Sequence, residues 1–185
     1  MKNLYKDYVF PNFIYSMDLD VDRDSIVKDI YCIKDKTQSV QLSNQGGWQS
    51  PLIKNELETE SFISLKNKIK EAVNFIIDTE KLKNTNYDLS YWINVNKTND
   101  YNVIHRHGNL LLAAVYYPFV PNDGAQLVFH RTDGASMHYP DSFVINCRTN
   151  MLCIFTPHLY HSVNVNLSKQ ERISMAFNIR CLPHA

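Results

Sequence analysis

The spacing of apolar positions changes period partway along this chain. Between Asp22 and Lys34, Ile26, Val27, Ile30, Tyr31 and Ile33 recur every three to four residues. That is the spacing of one helix face, with Asp22 or Asp24 placed to cap the first turn. From Glu60 to Lys81 a longer stripe of Phe62, Leu65, Ile69, Ala72, Val73, Ile76 and Ile77 predicts an amphipathic helix packed across a sheet. After Asn84-Thr85-Asn86 the period drops to two. Leu89, Tyr91, Ile93 and Val95 alternate with Ser90, Trp92, Asn94 and Asn96, as in a strand partly covered on both faces. Four more strand-like runs follow: Leu110 to Phe119, Ala125 to His130, Met151 to Thr156 and Arg172 to Arg180. Turn-forming residues at 121–124, 131–142 and 164–171 separate them. Upstream of the helices, Tyr8 to Tyr15 predicts an opening strand broken at Pro11, which suits a sheet edge. Short antiparallel strands with helices on one side imply a mainly β protein, a double-sheet jelly roll or barrel with flanking helices.

Composition narrows the class more than the function. With 185 residues and no repeat, low-complexity tract or linker, the chain reads as one domain over 1–185. Lys plus Arg and Asp plus Glu are balanced at 19 each, so no net field recruits nucleic acid or an anionic membrane. The N-terminal residues lack a signal-peptide pattern and no segment has the length of a membrane span, which points to the cytoplasm. Cys32, Cys147, Cys153 and Cys181 show no CxxC spacing and read as reduced core residues.

Chemistry gathers in three places. His105-Arg106-His107 sets two imidazoles two residues apart, and on a strand such residues project to one side and can chelate one metal. A solvent-exposed polar strand end is the competing reading of that triplet. His161 ends the next informative segment, after Phe155-Thr156-Pro157, where a jelly roll returns a later strand beside an earlier one. Arg172 opens the alternating run Arg172-Ile173-Ser174-Met175-Ala176-Phe177. Buried there, its guanidinium needs a planar anion such as the distal carboxylate of a keto diacid, and Ser174 shares its face. Exposed, it would pair instead with Glu171 or Asp141 and contribute little.

Taken together, HxH, a distal His, then Arg with Ser at the second following position resembles the 2-oxoglutarate/Fe(II) oxygenase superfamily. More narrowly, SNQGGWQS, WINVNKTNDYNVIHRH, Tyr116-Tyr117, FTPHLYHSVNVN and RISMAFN are similar to a family of 2-oxoglutarate/Fe(II) oxygenases of marine bacteria and tailed phages. The resemblance runs from the FPNFIY start to RISMAFN and implies a double-stranded β-helix. It also implies Fe(II) on His105, His107 and His161, with 2-oxoglutarate as co-substrate anchored by Arg172. The superfamily's usual carboxylate ligand is replaced by His107, which leaves the site more positive and open to other divalent metals. Halogenation, which needs that position vacant for halide, becomes a minor option.

Around this set, Asn94 and Asn102 are candidates to hold the co-substrate or orient a ligand, with turn roles equally open. One of Tyr116 and Tyr117 can point at 2-oxoglutarate, and parity favours Tyr116. Trp48 and Gln49 are candidates for a lid, or Trp48 packs on the long helix. His130, His138, His158 and His184 are assigned to structure or solvent, His158 being the nearest rival to His161. The implied reaction is decarboxylation of 2-oxoglutarate coupled to hydroxylation of a small molecule or protein side chain. Specificity is expected in 44–51 and 133–146. The competing classes are a non-catalytic jelly-roll module binding a metal or small carboxylate, and a zinc hydrolase. The hydrolase would need a carboxylate base, and Asp100 and Asp123 both sit in turn-like sequence.

Overall fold

The computed structural model describes residues 12–83, 86–122, 124, 126–132, 137, 138 and 140–182. The chain opens with β1 (Ile14–Asp18), α1 (Arg23–Lys34), β2 (Asn44–Gln45), β3 (Trp48–Gln49), a short 3-10 turn (Asn55–Leu57) and α2 (Glu60–Glu80). The β-rich part follows as β4 (Tyr87–Asn96), β5 (Tyr101–His105), β6 (Leu112–Phe119), β7 (Gln126–His130), β8 (Ser142–Asn146), β9 (Met151–Phe155), β10 (Tyr160–Val163) and β11 (Arg172–Cys181).

Among the described residues the strands form two antiparallel sheets. The larger runs β1-β9-β6-β11-β4-β3 and the smaller β2-β5-β10-β7-β8. β1 is an edge strand as expected, but it occupies Ile14–Asp18, later than the predicted stretch, and residues 1–11 lie outside the described part. Asp22 caps α1 by accepting from the Ser25 amide, and Thr59 caps α2 by accepting from that of Phe62.

Every residue of the predicted α2 stripe, from Phe62 to Ile77, is buried. With Ile26, Ile30 and Ile33 of α1 it covers one face of the larger sheet, meeting Tyr91, Ile93, Tyr116, Leu152, Met175 and Phe177. The opposite face of that sheet turns toward the smaller sheet, where Ala113, Tyr117, Leu127, Phe129, Met151, Cys153 and Phe155 make a second core. The site lies between the sheets, beside this second core.

Residues 44–51 do more than turn the chain. β2 pairs with β5 in one sheet and β3 with β4 in the other, so this segment joins the two sheets at one end. Gly46 and Gly47 make the crossing at φ +70° and +67°. A Cβ on Gly47 would lie 2.9 Å from the Val95 carbonyl oxygen, so both conformation and space call for glycine.

Three expectations change here. Residues 142–146, read as part of a variable loop, form β8, paired with β7 along its length. The segment around His161 is a strand of its own, β10, where the sequence suggested only the end of the preceding apolar strand. Cys32 is exposed on α1 and Cys147 and Cys181 are half-buried, so that of the four only Cys153 is a fully buried core residue. No helix among the described residues is long and apolar enough to cross a membrane.

Candidate metal and co-substrate site

β5 and β10 pair with His105 directly opposite His161, so two residues far apart in sequence share one face at the sheet's centre. Their ring centroids are 4.3 Å apart. His107 lies two residues past the end of β5 rather than on it, where the sequence reading placed both members of HxH on a strand. Its backbone N–H donates to the Pro157 carbonyl at 2.9 Å, tying it to the turn that leads into β10. The ring then comes within 5.5 Å of His105 and 5.2 Å of His161, centroid to centroid. One ligating nitrogen from each imidazole lies within 4.8 Å of the others, and among the described residues no carboxylate or thiol joins the group.

The hydrogen bonds settle two of the three tautomers. His105 Nδ1 lies 2.8 Å from the Val103 carbonyl oxygen, and His161 Nδ1 lies 2.9 Å from that of Leu159. A carbonyl only accepts, so each Nδ1 carries the hydrogen and each Nε2 keeps a free lone pair. Burial favours that neutral state. It pushes the pKa of His161 down to about 3 and that of His107 to about 4, and lowers that of His105. Phe155 and Phe129 stand against His161 and Trp92 against His107, with ring centroids 4.9, 5.9 and 6.3 Å away. Neutral imidazoles walled by aromatic rings are a donor set for a divalent transition metal.

Among the described residues Arg172 is the largest fully buried side chain, 1 % exposed. It lines the same pocket as the three histidines, together with Asn94, Asn102, Ser174 and Tyr117. Its guanidinium makes only long contacts, Nη1 to the Asn164 carbonyl oxygen at 3.4 Å and Nη2 to Asn102 Oδ1 at 3.5 Å, and Nε has no partner. The surface ion pair considered for it does not form: Glu171 accepts instead from Tyr31 and Lys34. A buried guanidinium without an anion is costly, and even with burial lowering its pKa it remains charged. Asn94 Oδ1, buried in the same pocket, also lacks a partner, and the Tyr117 hydroxyl makes no full hydrogen bond, with only the Cys147 thiol close to it. A bound dicarboxylate fits this set, since guanidinium, phenol and the NH2 end of a rotated amide all donate.

Tyr116 requires a correction. It faces the helices, 0 % exposed, and donates to Asn150 Oδ1 at 3.0 Å. Tyr117 is the one that turns into the pocket. The central residues of β6 are buried on both faces, so alternation in the sequence carried no mark of which face held the site. Trp48 belongs to the helix-side core and donates from Nε1 to the Thr37 carbonyl oxygen, so it is no lid. Gln49, on the other face, lines a cleft of about 380 Å³ beside His105 and His107 with Leu42, Ser43, Trp92 and Val103. The sequence reading held Tyr117 as the less favoured of the two tyrosines and did not name Trp92 for the site.

Among the described residues the other histidines take no part. His130 Nε2 is 2.8 Å from Ser162 Oγ, while His158 and His138 are exposed. His184 lies outside the described residues. Asp100 accepts from the Lys97 amide at 2.6 Å within its own turn, and among the described residues no carboxylate joins the three imidazoles; Asp123 lies outside the described residues.

Residues 90–178 match the family described as "Putative 2OG-Fe(II) oxygenase". No curated protein matches the chain by sequence. Among solved structures, a Pseudomonas putida prolyl-4-hydroxylase superposes with TM-score 0.69 at 14 % identity, covering 92 % of this chain and 93 % of that one. A viral collagen prolyl hydroxylase from Paramecium bursaria Chlorella virus-1, solved with 2-oxoglutarate, gives TM-score 0.62 at 14 % identity, covering 91 % and 96 %. HygX from Streptomyces hygroscopicus, solved with nickel and 2-oxoglutarate, gives 0.62 at 8 % identity, covering 90 % and 82 %. At these identities the superpositions establish the double-stranded β-helix fold. The matched stretch contains His105, His107, His161 and Arg172, so the candidate site lies in the part of this chain that is similar to the 2-oxoglutarate/Fe(II) oxygenase family.

Proposed function

We propose that this chain, acting as one domain, binds Fe(II) through His105 Nε2, His161 Nε2 and a ring nitrogen of His107. In this reading it binds 2-oxoglutarate with the distal carboxylate on Arg172, and hydroxylates a C–H bond of a small molecule or a protein side chain. The observation that carries the reading is the pairing, in one pocket, of three converging imidazoles with a buried guanidinium that lacks an anion.

Bound together, Fe(II) and 2-oxoglutarate supply the redox chemistry: 2-oxoglutarate, O2 and R–H give succinate, CO2 and R–OH. The chain's own residues do the rest. The carbonyls of Val103 and Leu159 hold two imidazoles by their Nδ1–H groups, which fixes ring orientation and leaves Nε2 toward the metal. Arg172 supplies a planar donor fork to one carboxylate, with Tyr117 and Ser174 on the same pocket wall. Asn94 stands opposite Ser174 on β4, and Asn102 on β5 lies against the Arg172 guanidinium, so both amides border the place proposed for the carboxylate. Phe155, Phe129 and Trp92 exclude water from the reacting centre. The cleft lined by Leu42, Gln49, Trp92 and Val103 gives the substrate a route to the metal, and no charged side chain lines it.

Anaerobic loading with Fe(II), followed by exposure to O2 and 2-oxoglutarate, tests the reading. Succinate is expected in proportion to 2-oxoglutarate consumed, slowly without substrate and faster with it. Tight zinc binding with no succinate under any condition would favour a non-catalytic metal or carboxylate module.

A further inference from the structure

Two of the three imidazoles are oriented by backbone carbonyls, His105 by that of Val103 and His161 by that of Leu159. Both carbonyls belong to the residue two positions before the histidine, and among the described residues no such carbonyl bonds the ring of His107, which sits beyond the end of β5. What stands beside its ring is a side chain. Asn178 lies on β11 in the series Arg172, Ser174, Ala176, Asn178, whose first three members line the pocket and whose alternation puts all four on one face. Its cross-strand neighbours are Ser90 and Ala113, both small, which leaves room for the amide to reach the ring. The Asn178 amide is close enough to His107 to work against the effect of burial on that imidazole. The contact nevertheless stops short of full hydrogen-bond geometry, and Oδ1 is left buried with no partner. A buried acceptor without a donor is costly, and a slight turn of the neighbouring imidazole relieves the cost.

We propose that Asn178 is the positioning residue for His107: Oδ1 accepts one ring N–H and thereby presents the other ring nitrogen to Fe(II). A carboxylate at position 107 would have no N–H to give, so the pair Asn178–His107 is matched to this chain's three-imidazole site. The inference rests on the reading that His107 is a metal ligand.

The test compares Asn178→Leu, Asn178→Asp and His107→Ala in the full chain. Readouts are Co(II) affinity by calorimetry, the visible Co(II) spectrum and the thermal midpoint of the metal-free protein. Asn178→Leu, close to isosteric and without an acceptor, is expected to weaken Co(II) binding by about tenfold or more and to alter the Co(II) bands. Asn178→Asp keeps an acceptor and is expected to restore affinity. Should Asn178→Leu prove unstable, the Asp variant's Co(II) bands decide instead: wild-type bands support the role, and bands like those of His107→Ala overturn it. In a His107→Ala background, Asn178→Leu is expected to add nothing. Wild-type affinity and bands in Asn178→Leu, with His107→Ala impaired, would overturn the positioning role alone. Wild-type affinity in His107→Ala would overturn the ligand reading, and the positioning role with it.

Discussion

His105 and His161 face each other as direct cross-strand partners of β5 and β10, with ring centroids 4.3 Å apart. That register brings together two candidate metal ligands separated by most of the jelly roll, and a slip of one residue in β10 would turn His161 to the outside of the sheet. Replacing His161 with Ala should therefore abolish stoichiometric metal binding, read by metal analysis after anaerobic loading and desalting. His158→Ala, three residues earlier and exposed, should retain it. Full metal retention in His161→Ala would remove that ligand from the site.

Arg172 should act on the co-substrate and not on the metal. Losing a hydrogen-bonded charged contact of about 1.5–3 kcal/mol corresponds to a roughly tenfold to hundredfold weaker affinity. Calorimetry on Arg172→Gln loaded with Mn(II) under anaerobic conditions should show that loss for 2-oxoglutarate, with Mn(II) affinity unchanged. Equal 2-oxoglutarate affinity in mutant and wild type would end the anchoring role.

The two adjacent tyrosines make an internal control, because they lie on opposite faces of β6. Tyr117→Phe removes a pocket hydroxyl and should weaken 2-oxoglutarate binding by several-fold, with about 1 kcal/mol at stake. Tyr116→Phe should leave that affinity alone and instead lower stability by about 1 kcal/mol, through the lost bond to Asn150. Reversed outcomes would restore Tyr116 to the site.

Without metal, the buried histidines should make the protein acid-sensitive at mild pH. Unfolding frees them to titrate at their ordinary value near 6.5, whereas in the folded protein burial holds His161 at about 3 and His107 at about 4. Between those limits the unfolded chain binds more protons, so stability falls as pH falls. The loss amounts to as much as about 1.4 kcal/mol per pH unit for one such group. Urea midpoints of the metal-free protein at pH 7.5 and 5.5 should differ accordingly, and His161→Phe should flatten the dependence. Identical slopes in the two proteins would show that His161 does not carry it.

Much of this architecture is written in local patterns. The α2 stripe needs only its helical spacing, since one side of a helix must be covered wherever it packs, and each predicted residue of that stripe is buried. The alternation along 89–96 likewise separates Tyr91, Ile93 and Val95, which meet the helices, from Trp92 and Asn94, which line the pocket. The pocket-facing parity of Arg172 and Ser174 was legible for the same reason.

Other features had no local trace. Apolar residues on both faces of β6 leave no amphipathic mark, so Tyr116 and Tyr117 are told apart only by the sheet that β6 joins. Trp48 and Gln49 part company because β3 pairs with β4 and sets their faces. His107 approaches the other two rings from beyond its strand through a backbone bond to Pro157, a contact between segments about fifty residues apart. The sequence by itself determined the chemical inventory, three imidazoles and a guanidinium, and the strand that carries Arg172. Tertiary structure alone decided which tyrosine faces the anchor and that Arg172 is left without an anion, because cross-strand register and burial belong to pairs of distant segments and not to either one.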